Sequence, residues 1–168
     1  TSFEIDMDEP NAAICYRWKR TEQTKQRFDD ENILVLGKAA GSGGQQSCLH
    51  DIERFVDAVI NKDKNLYSEK IFDIAEKNYT PDYSEGRGLG YLIVDEKYPQ
   101  TGKLFPIGSF GHCGHTGQSL FVDLKTGLYV IVLSDATITG IKVNGKENYN
   151  TVMDMRQKIH NAILCDIG

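Results

Sequence analysis

The chain has 168 residues, of which 40% are hydrophobic and 26% are charged. Such a chain forms one ordinary globular domain or a large part of one, and it buries roughly 70% of its unfolded surface without metals or cross-links. With 24 acidic against 19 basic residues and a net charge of −5, it has no basic footprint for nucleic acid. No apolar run reaches the roughly 18 residues of a membrane-spanning helix, so we predict neither nucleic acid nor a membrane span.

The first half of the chain predicts a loop followed by two helices. Residues 1–30 are polar and irregular, and we expect mostly loop there. Beyond a glycine-rich turn, apolar residues recur at i, i+3, i+4, i+7 and i+8, which predicts an amphipathic helix that begins at Ser47 or Cys48. A second helix is expected from Ser68, whose hydroxyl can cap free N–H groups, to about Asn78. The apolar stripe of the first helix consists of Ile52, Phe55, Val56, Val59 and Ile60.

The pattern then changes to that of strands. Leu89–Val94 predicts one strand, and Leu104–Ile107 a weaker one whose proline suits a strand end or a sheet edge. Ser119–Val122 and Leu128–Leu133, joined by a turn at Asp123–Gly127, predict a hairpin. The second hairpin strand is apolar on both alternations, so both of its faces must be covered.

The C-terminal part predicts a short strand and a closing helix. The strand is Ile138–Val143 with a turn at Asn144-Gly145, and the helix begins at about Asn150. Its apolar stripe consists of Val152, Met155, Ile159, Ala162 and Ile163. Helices, antiparallel strands and a closing helix predict an α+β fold, an antiparallel sheet flanked by helices, over a single domain or partial domain of residues 1–168.

The cysteines contain no C-x-x-C pair. Cys15, Cys48, Cys113 and Cys165 lie far apart in sequence, which excludes a zinc ribbon and a thioredoxin-type motif. Four free thiols or two disulfides of undetermined connectivity remain open.

Reactive side chains are densest in the glycine-rich segment Gly108–Gly117. A metal site through His112, Cys113 and His115 lacks a nearby fourth ligand. Cys113 as a nucleophile beside a histidine is disfavoured, because neighbours along a strand point to opposite faces. The segment can also bind a substrate through Thr116 and its backbone, with a nucleophile from elsewhere, or it can be a turn without chemistry.

This segment resembles the third motif of the penicillin-recognising serine hydrolases. The match is Gly114-His115-Thr116-Gly117 with the hairpin that follows, and it is nearest to the class C β-lactamase, D-Ala-D-Ala carboxypeptidase and esterase group. Order and spacing agree from about residue 30 to residue 135, through the segments Asp30-Glu31-Asn32, Leu36–Gly41, Asp51–Phe55 and Gly88-Leu89-Gly90-Tyr91. Lys125-Thr126-Gly127 spells the commoner form of the motif, but it lies in the hairpin turn, after the strand that the motif should precede.

The resemblance implies the C-terminal part of the β-lactamase/transpeptidase-like fold and a set of site residues. Thr116 would hydrogen-bond the substrate carboxylate, with His115 as a polar or positive group beside it and Gly117 keeping the strand edge open. The backbone N–H of Gln118 would be one oxyanion donor. No metal and no other cofactor is implied.

The nucleophile motif of the family is missing. None of the eight serines has a lysine three residues later, and no Tyr or Ser has Asn two residues later. We therefore expect the C-terminal part of a larger protein, inactive alone, whose partners are the missing N-terminal part or a second copy through exposed sheet edges. Its ligand would be a small acyl substrate or a cell-wall peptide, and the family implies an extracytoplasmic or cell-envelope location. The alternative is a noncatalytic module that binds a cell-wall peptide or a partner.

Overall fold

The computed structural model describes residues 1–3, 8–19, 22–26, 31–38, 40–97, 100–136, 142–143, 146–147 and 149–168. Its helices are α1 (Glu31–Leu36), α2 (Leu49–Ile60), α3 (Glu69–Ala75) and α4 (Tyr149–Ile167). Its strands are β1 (Cys15–Lys19), β2 (Glu22–Gln26), β3 (Gly86–Arg87), β4 (Leu92–Ile93), β5 (Phe110–Cys113), β6 (Ser119–Asp123), β7 (Leu128–Val132), β8 (Lys142–Val143) and β9 (Lys146–Glu147). No helix in these ranges is long and apolar enough to cross a membrane.

Strands β3 to β7 form one antiparallel sheet in which the spatial order follows the sequence. Tight turns join β5 to β6 and β6 to β7, whereas residues 94–109 lie between β4 and β5. In the pairing of β5 with β6, Cys113 lies opposite Ser119, and in the pairing of β6 with β7, Phe121 lies opposite Val130. The pairs β1/β2 and β8/β9 form separate two-stranded sheets.

One face of the central sheet packs against α2. Val56 and Val59 of this helix are buried in a cluster with Ile93, Phe110 and Val122 of the sheet. The apolar stripe predicted for α2 is confirmed, because its members either lie in this cluster or pack against it. Burial of an apolar side chain of this size contributes roughly 1.5–3 kcal/mol.

The opposite face packs against α4. Phe121, Val130 and Val132 are buried there with Phe105 from the preceding loop. The α4 side chains packed on this cluster are Ile159, Ile163 and Leu164. Apolar groups thus cover both faces, as the doubly apolar pattern of β7 requires, and the predicted α+β arrangement is confirmed.

The expectation of mostly loop over residues 1–30 is wrong at β1 and β2, which pair from Cys15 opposite Gln26 to Lys19 opposite Glu22. A two-stranded hairpin satisfies its backbone by cross-strand hydrogen bonds and does not require an alternating apolar face. A search for apolar periodicity therefore misses it.

The expected strand at Leu104–Ile107 is also wrong. This segment is a loop fixed by the buried Phe105 ring and by Asn161 Oδ1, which accepts hydrogen bonds from the N–H groups of Lys103 (3.1 Å) and Leu104 (3.3 Å). Phe105 is buried, whereas Leu104 and Ile107 are exposed, so the apolar residues of this segment do not form a strand face, and the strand lies instead at β5.

Other expectations need smaller corrections. The strand expected at Leu89–Val94 is reduced to β4, with β3 as its unexpected edge partner.

Ser68 occupies the N-cap of α3 but its hydroxyl makes no capping hydrogen bond, so the burial of Phe72 holds this short helix. Most of the strand expected at Ile138–Val143 lies outside the described residues, as does its turn. The four cysteines, all of them described residues, form no disulfide, in agreement with the first of the two open alternatives.

Candidate functional site

The segment with the predicted site residues forms the tight connection between β5 and β6. The N–H of Gly114 donates to the carbonyl of Gln118 at 2.7 Å, and the N–H of Gly117 donates to the carbonyl of Gly114 at 3.2 Å. Gly117 has φ of 111°, a backbone conformation that residues with a Cβ rarely adopt. We call residues 114–118 the first turn; it carries His115 and Thr116 between its two ends.

The two side chains of the first turn have different environments. His115 is exposed, whereas Thr116 is only 8% exposed and its hydroxyl donates to Gln118 Oε1 at 2.7 Å. The carbonyl of Thr116 accepts a hydrogen bond from the N–H of Ala136 at 2.9 Å. The hydroxyl that the resemblance assigns to a substrate carboxylate therefore has an internal partner, which a ligand must displace.

Gly117 and Gln118 also differ in what they offer to a ligand. A Cβ on Gly117 would lie 2.5 Å from Ser134 Oγ, so the turn packs closely on the segment after β7. The N–H of Gln118 donates to no acceptor within the described part of the chain. It is the group that the resemblance assigns to an oxyanion.

The sequence Gly-His-x-Gly occurs twice here and shares Gly114. The earlier copy ends β5, where His112 is exposed and its Nδ1 lies 3.0 Å from the carbonyl of Cys113. Since a carbonyl only accepts, Nδ1 carries the proton and Nε2 is left as an acceptor, 3.5 Å from Arg87 Nη1. Arg87 also forms an ion pair with Glu85. The earlier copy thus presents an imidazole and a guanidinium together.

Cys113 does not fit a nucleophile. Its side chain packs against the α4-side cluster, the face opposite to that of Phe110, and His112 follows the face of Phe110 by strand alternation. Burial raises the pKa of the Cys113 thiol to about 11, which keeps it in the unreactive thiol form near neutral pH. Within the described residues, no three His, Cys, Asp or Glu side chains are grouped closely enough to hold a metal ion.

Lys125-Thr126-Gly127 lies in the second turn, residues 123–127, at the other end of β6. The hydroxyl of Thr126 donates to Asp123 Oδ2 at 2.7 Å, and the N–H of Lys125 donates to Asp123 Oδ1 at 3.3 Å. These bonds are typical of an Asp-centred turn. The three residues therefore close a hairpin.

The structure adds groups that the sequence reasoning missed, on the α4 side of the first turn. Arg156 is 4% exposed and donates to the carbonyl of Gly114, and His160 is fully buried beside Ser119. The sequence contains a sign of them: positions 156 and 160 lie at helical spacing within the apolar stripe of α4, which indicates that these two polar side chains are buried. The exposed Ala162 had been placed in that stripe instead.

Comparisons with known proteins agree with this fold. The profile of the Beta-lactamase family matches residues 4–144, and the chain belongs to this family. Among solved structures, the chain is similar to a β-lactamase from Mycobacterium bovis, with 22% sequence identity and a TM-score of 0.57. That similarity covers 71% of this chain and 44% of the other, so the chain spans less than half of that protein. No curated protein matches the chain.

Proposed function

We propose that the chain supplies one wall of the acyl-transfer site of a β-lactamase-like serine hydrolase. In this proposal His115, Thr116 and Gly117 contact the substrate, and the N–H of Gln118 stabilises the oxyanion that forms when a serine attacks the carbonyl carbon. The observation that carries the proposal is the Gln118 N–H, which has no acceptor among the described residues and lies in a tight turn beside an exposed imidazole. Membership of the β-lactamase family supports the same chemistry.

The attacking serine belongs, in this proposal, to polypeptide outside this sequence. No serine of the chain has the lysine partner that activates the nucleophile in the family, and the chain spans 44% of its structural neighbour. The substrate is a β-lactam, a D-Ala-D-Ala peptide or a small ester. The 168-residue chain alone should therefore bind such compounds weakly and hydrolyse none of them.

One experiment tests binding and catalysis together. The ¹⁵N-labelled chain is titrated with ampicillin and with D-alanyl-D-alanine while the amide signals of residues 114–118 are followed, and turnover of a chromogenic β-lactam and of a p-nitrophenyl ester is measured separately. We expect shifts confined to the first turn and its neighbours, without turnover. Hydrolysis that is lost in Thr116→Ala would overturn the placement of the nucleophile outside the chain.

A second assignment of the carboxylate contact is favoured by the hydrogen bonds. Thr116 is bonded to Gln118, whereas His112 and Arg87 are exposed and lie within 3.5 Å of each other. If the earlier Gly-His-x-Gly copy contacts the carboxylate, His112→Ala weakens binding of D-alanyl-D-alanine and His115→Ala does not. The opposite result assigns the contact to the first turn.

A noncatalytic binding module is the second candidate function, favoured by the absence of Ser-x-x-Lys from the sequence. The same wall would then hold a cell-wall peptide without an acylation step. Mixing the chain with a separately produced polypeptide that carries Ser-x-x-Lys from the same gene distinguishes the two. Turnover restored by mixing supports the hydrolase as the function. If the longest natural form of the protein binds the peptide without turnover, the noncatalytic binding module is supported instead.

The partner proposal concerns the edges of the sheet. In the part of the chain that the structure describes, β7 is bonded to β6 on one side and no further strand continues the sheet beyond it. Strand edges with unpaired N–H and C=O groups favour association with another chain. We expect the isolated chain to self-associate in light scattering, and a stable monodisperse monomer would contradict this.

A further inference from the structure

Arg156 is a buried cation without a carboxylate partner in the described residues. It lies on α4, is 4% exposed, and takes part in none of the ion pairs of the described side chains. Its Nη1 donates to Gln100 Oε1 at 2.8 Å and its Nη2 lies 3.4 Å from the carbonyl of Gly114, while Nε has no partner among the described residues. Both acceptors are neutral amide oxygens, and the guanidinium also lies beside the Cys113 thiol.

Packing does not account for this arrangement. A guanidinium is costly to bury unless it is paired, and an apolar side chain of similar length would fill the same space without that cost. The polar contacts of Arg156 therefore need a separate reason. They join α4, the loop at Gln100 and the first turn, three parts of the chain that are distant in sequence.

Gly114 is the acceptor on which the first turn closes. Its carbonyl receives the N–H of Gly117 at 3.2 Å from within the turn and Arg156 Nη2 from α4. The guanidinium adds a second, charged donor to this carbonyl at 3.4 Å, and so favours the carbonyl direction that accepts both hydrogen bonds. The peptide plane of Gly114 in turn sets the path of residues 115–118, including the direction of the Gln118 N–H.

We propose that Arg156 is a positioning residue that holds the first turn in the conformation that presents the Gln118 N–H to an acyl substrate. The identity of the ligand in this inference rests on the proposed function. The effect of Arg156 on the conformation of the first turn does not depend on it. It applies to both Gly-His-x-Gly copies, since Gly114 is common to them. Gln100 supports it by orienting the guanidinium.

The test separates positioning from stability. Arg156→Met keeps the aliphatic stem and removes the donors, Arg156→Lys keeps a charge that can reach one acceptor, and Lys158→Met is the control on an exposed position of the same helix. Thermal unfolding and the amide hydrogen exchange of Gly117 are measured for each chain. We expect Arg156→Met to melt close to the unmodified chain but to exchange the Gly117 amide about tenfold faster. Arg156→Lys should be intermediate, and Lys158→Met unchanged.

Unchanged exchange in a folded Arg156→Met chain would overturn the proposal. If this variant does not fold, Gln100→Met is measured instead; faster exchange at Gly117 supports the proposal, and unchanged exchange overturns it. Ampicillin titrations supply the second arm, in which Arg156→Met should bind about tenfold more weakly. Equal binding by both chains refutes the positioning role. If the unmodified chain binds no ligand while the exchange result holds, the proposed function fails and the effect on the turn stands.

Discussion

The two turns at the ends of β6 share the sequence Thr-Gly and differ in the groups that pack against them. The first turn, with Thr116 and Gly117, packs on Ser134 and on α4, where Arg156 reaches its backbone. The second turn, with Gly127, has open space around that glycine and is closed by its own aspartate. The same letters therefore occur in two different packing environments, which a three-residue motif does not distinguish.

The largest expected effect concerns acid and the buried ring behind the first turn. His160 Nε2 lies 3.4 Å from Ser119 Oγ, its Nδ1 has no partner in the described residues, and the ring contacts Phe105 and Phe121. Burial, with a smaller contribution from the charge of Arg156, lowers the pKa of His160 to about 4. The neutral ring is thus the form that the folded chain holds.

The sign of the pH dependence follows from that shift. Because the pKa is lower in the folded chain than in the unfolded one, the unfolded state binds more protons between pH 6.5 and pH 4. The contribution of the neutral His160 ring to the free energy of unfolding is fully present above about pH 6.5. It falls by about 3 kcal/mol as the pH decreases toward 4. Urea unfolding across this range should show the loss, and His160→Phe should remove most of it. His50→Gln, at an exposed position on α2, is the control and should keep the wild-type pH dependence.

The next effect compares the two glycines. Gly117→Ala places a Cβ at positive φ and 2.5 Å from Ser134 Oγ, whereas Gly127→Ala has φ of 74° and nothing within 4 Å. We expect a loss of about 2–3 kcal/mol for the first and about 1 kcal/mol for the second. Urea unfolding measures both. Equal losses would mean that Ser134 and its neighbours move aside at little cost in free energy. The contacts of the first turn with Ser134 and α4 would then not constrain its conformation.

How far the sequence predicts this molecule depends on which physical signal each part carries. The helix α2 and the β6/β7 hairpin follow from apolar periodicity, because burial against one large sheet fixes their pattern. The β1/β2 hairpin does not, since its pairing depends on backbone hydrogen bonds that leave no apolar alternation. The short strand β5 was not among the predicted strands, because its glycines and histidine lack the apolar alternation that is typical of one.

The candidate site shows the same division. Its location beside β6 follows from the family resemblance, and the assignments of His115, Thr116, Gly117 and Gln118 stay predictions. The Thr116–Gln118 hydrogen bond, the exposed His112 beside Arg87, and Arg156 behind Gly114 arise from contacts between segments distant in sequence or from side-chain directions. A single sequence does not encode such contacts in any short pattern. The polar residues Arg156 and His160 within the apolar stripe of α4 nevertheless indicate buried polar contacts on that face.

The smallest effects come from the two threonines, and they separate binding from stability. Thr126→Ala removes the hydroxyl that donates to Asp123, and it should lower stability by about 1 kcal/mol without changing ampicillin binding. Thr116→Ala removes the hydroxyl that donates to Gln118, with a similar or smaller loss of stability because Gln118 Oε1 is only partly buried. If Thr116 contacts the substrate carboxylate, the same variant should bind ampicillin about tenfold more weakly. Stronger binding by Thr116→Ala would instead show that the Thr116–Gln118 bond blocks the ligand, and the contact would pass to His112.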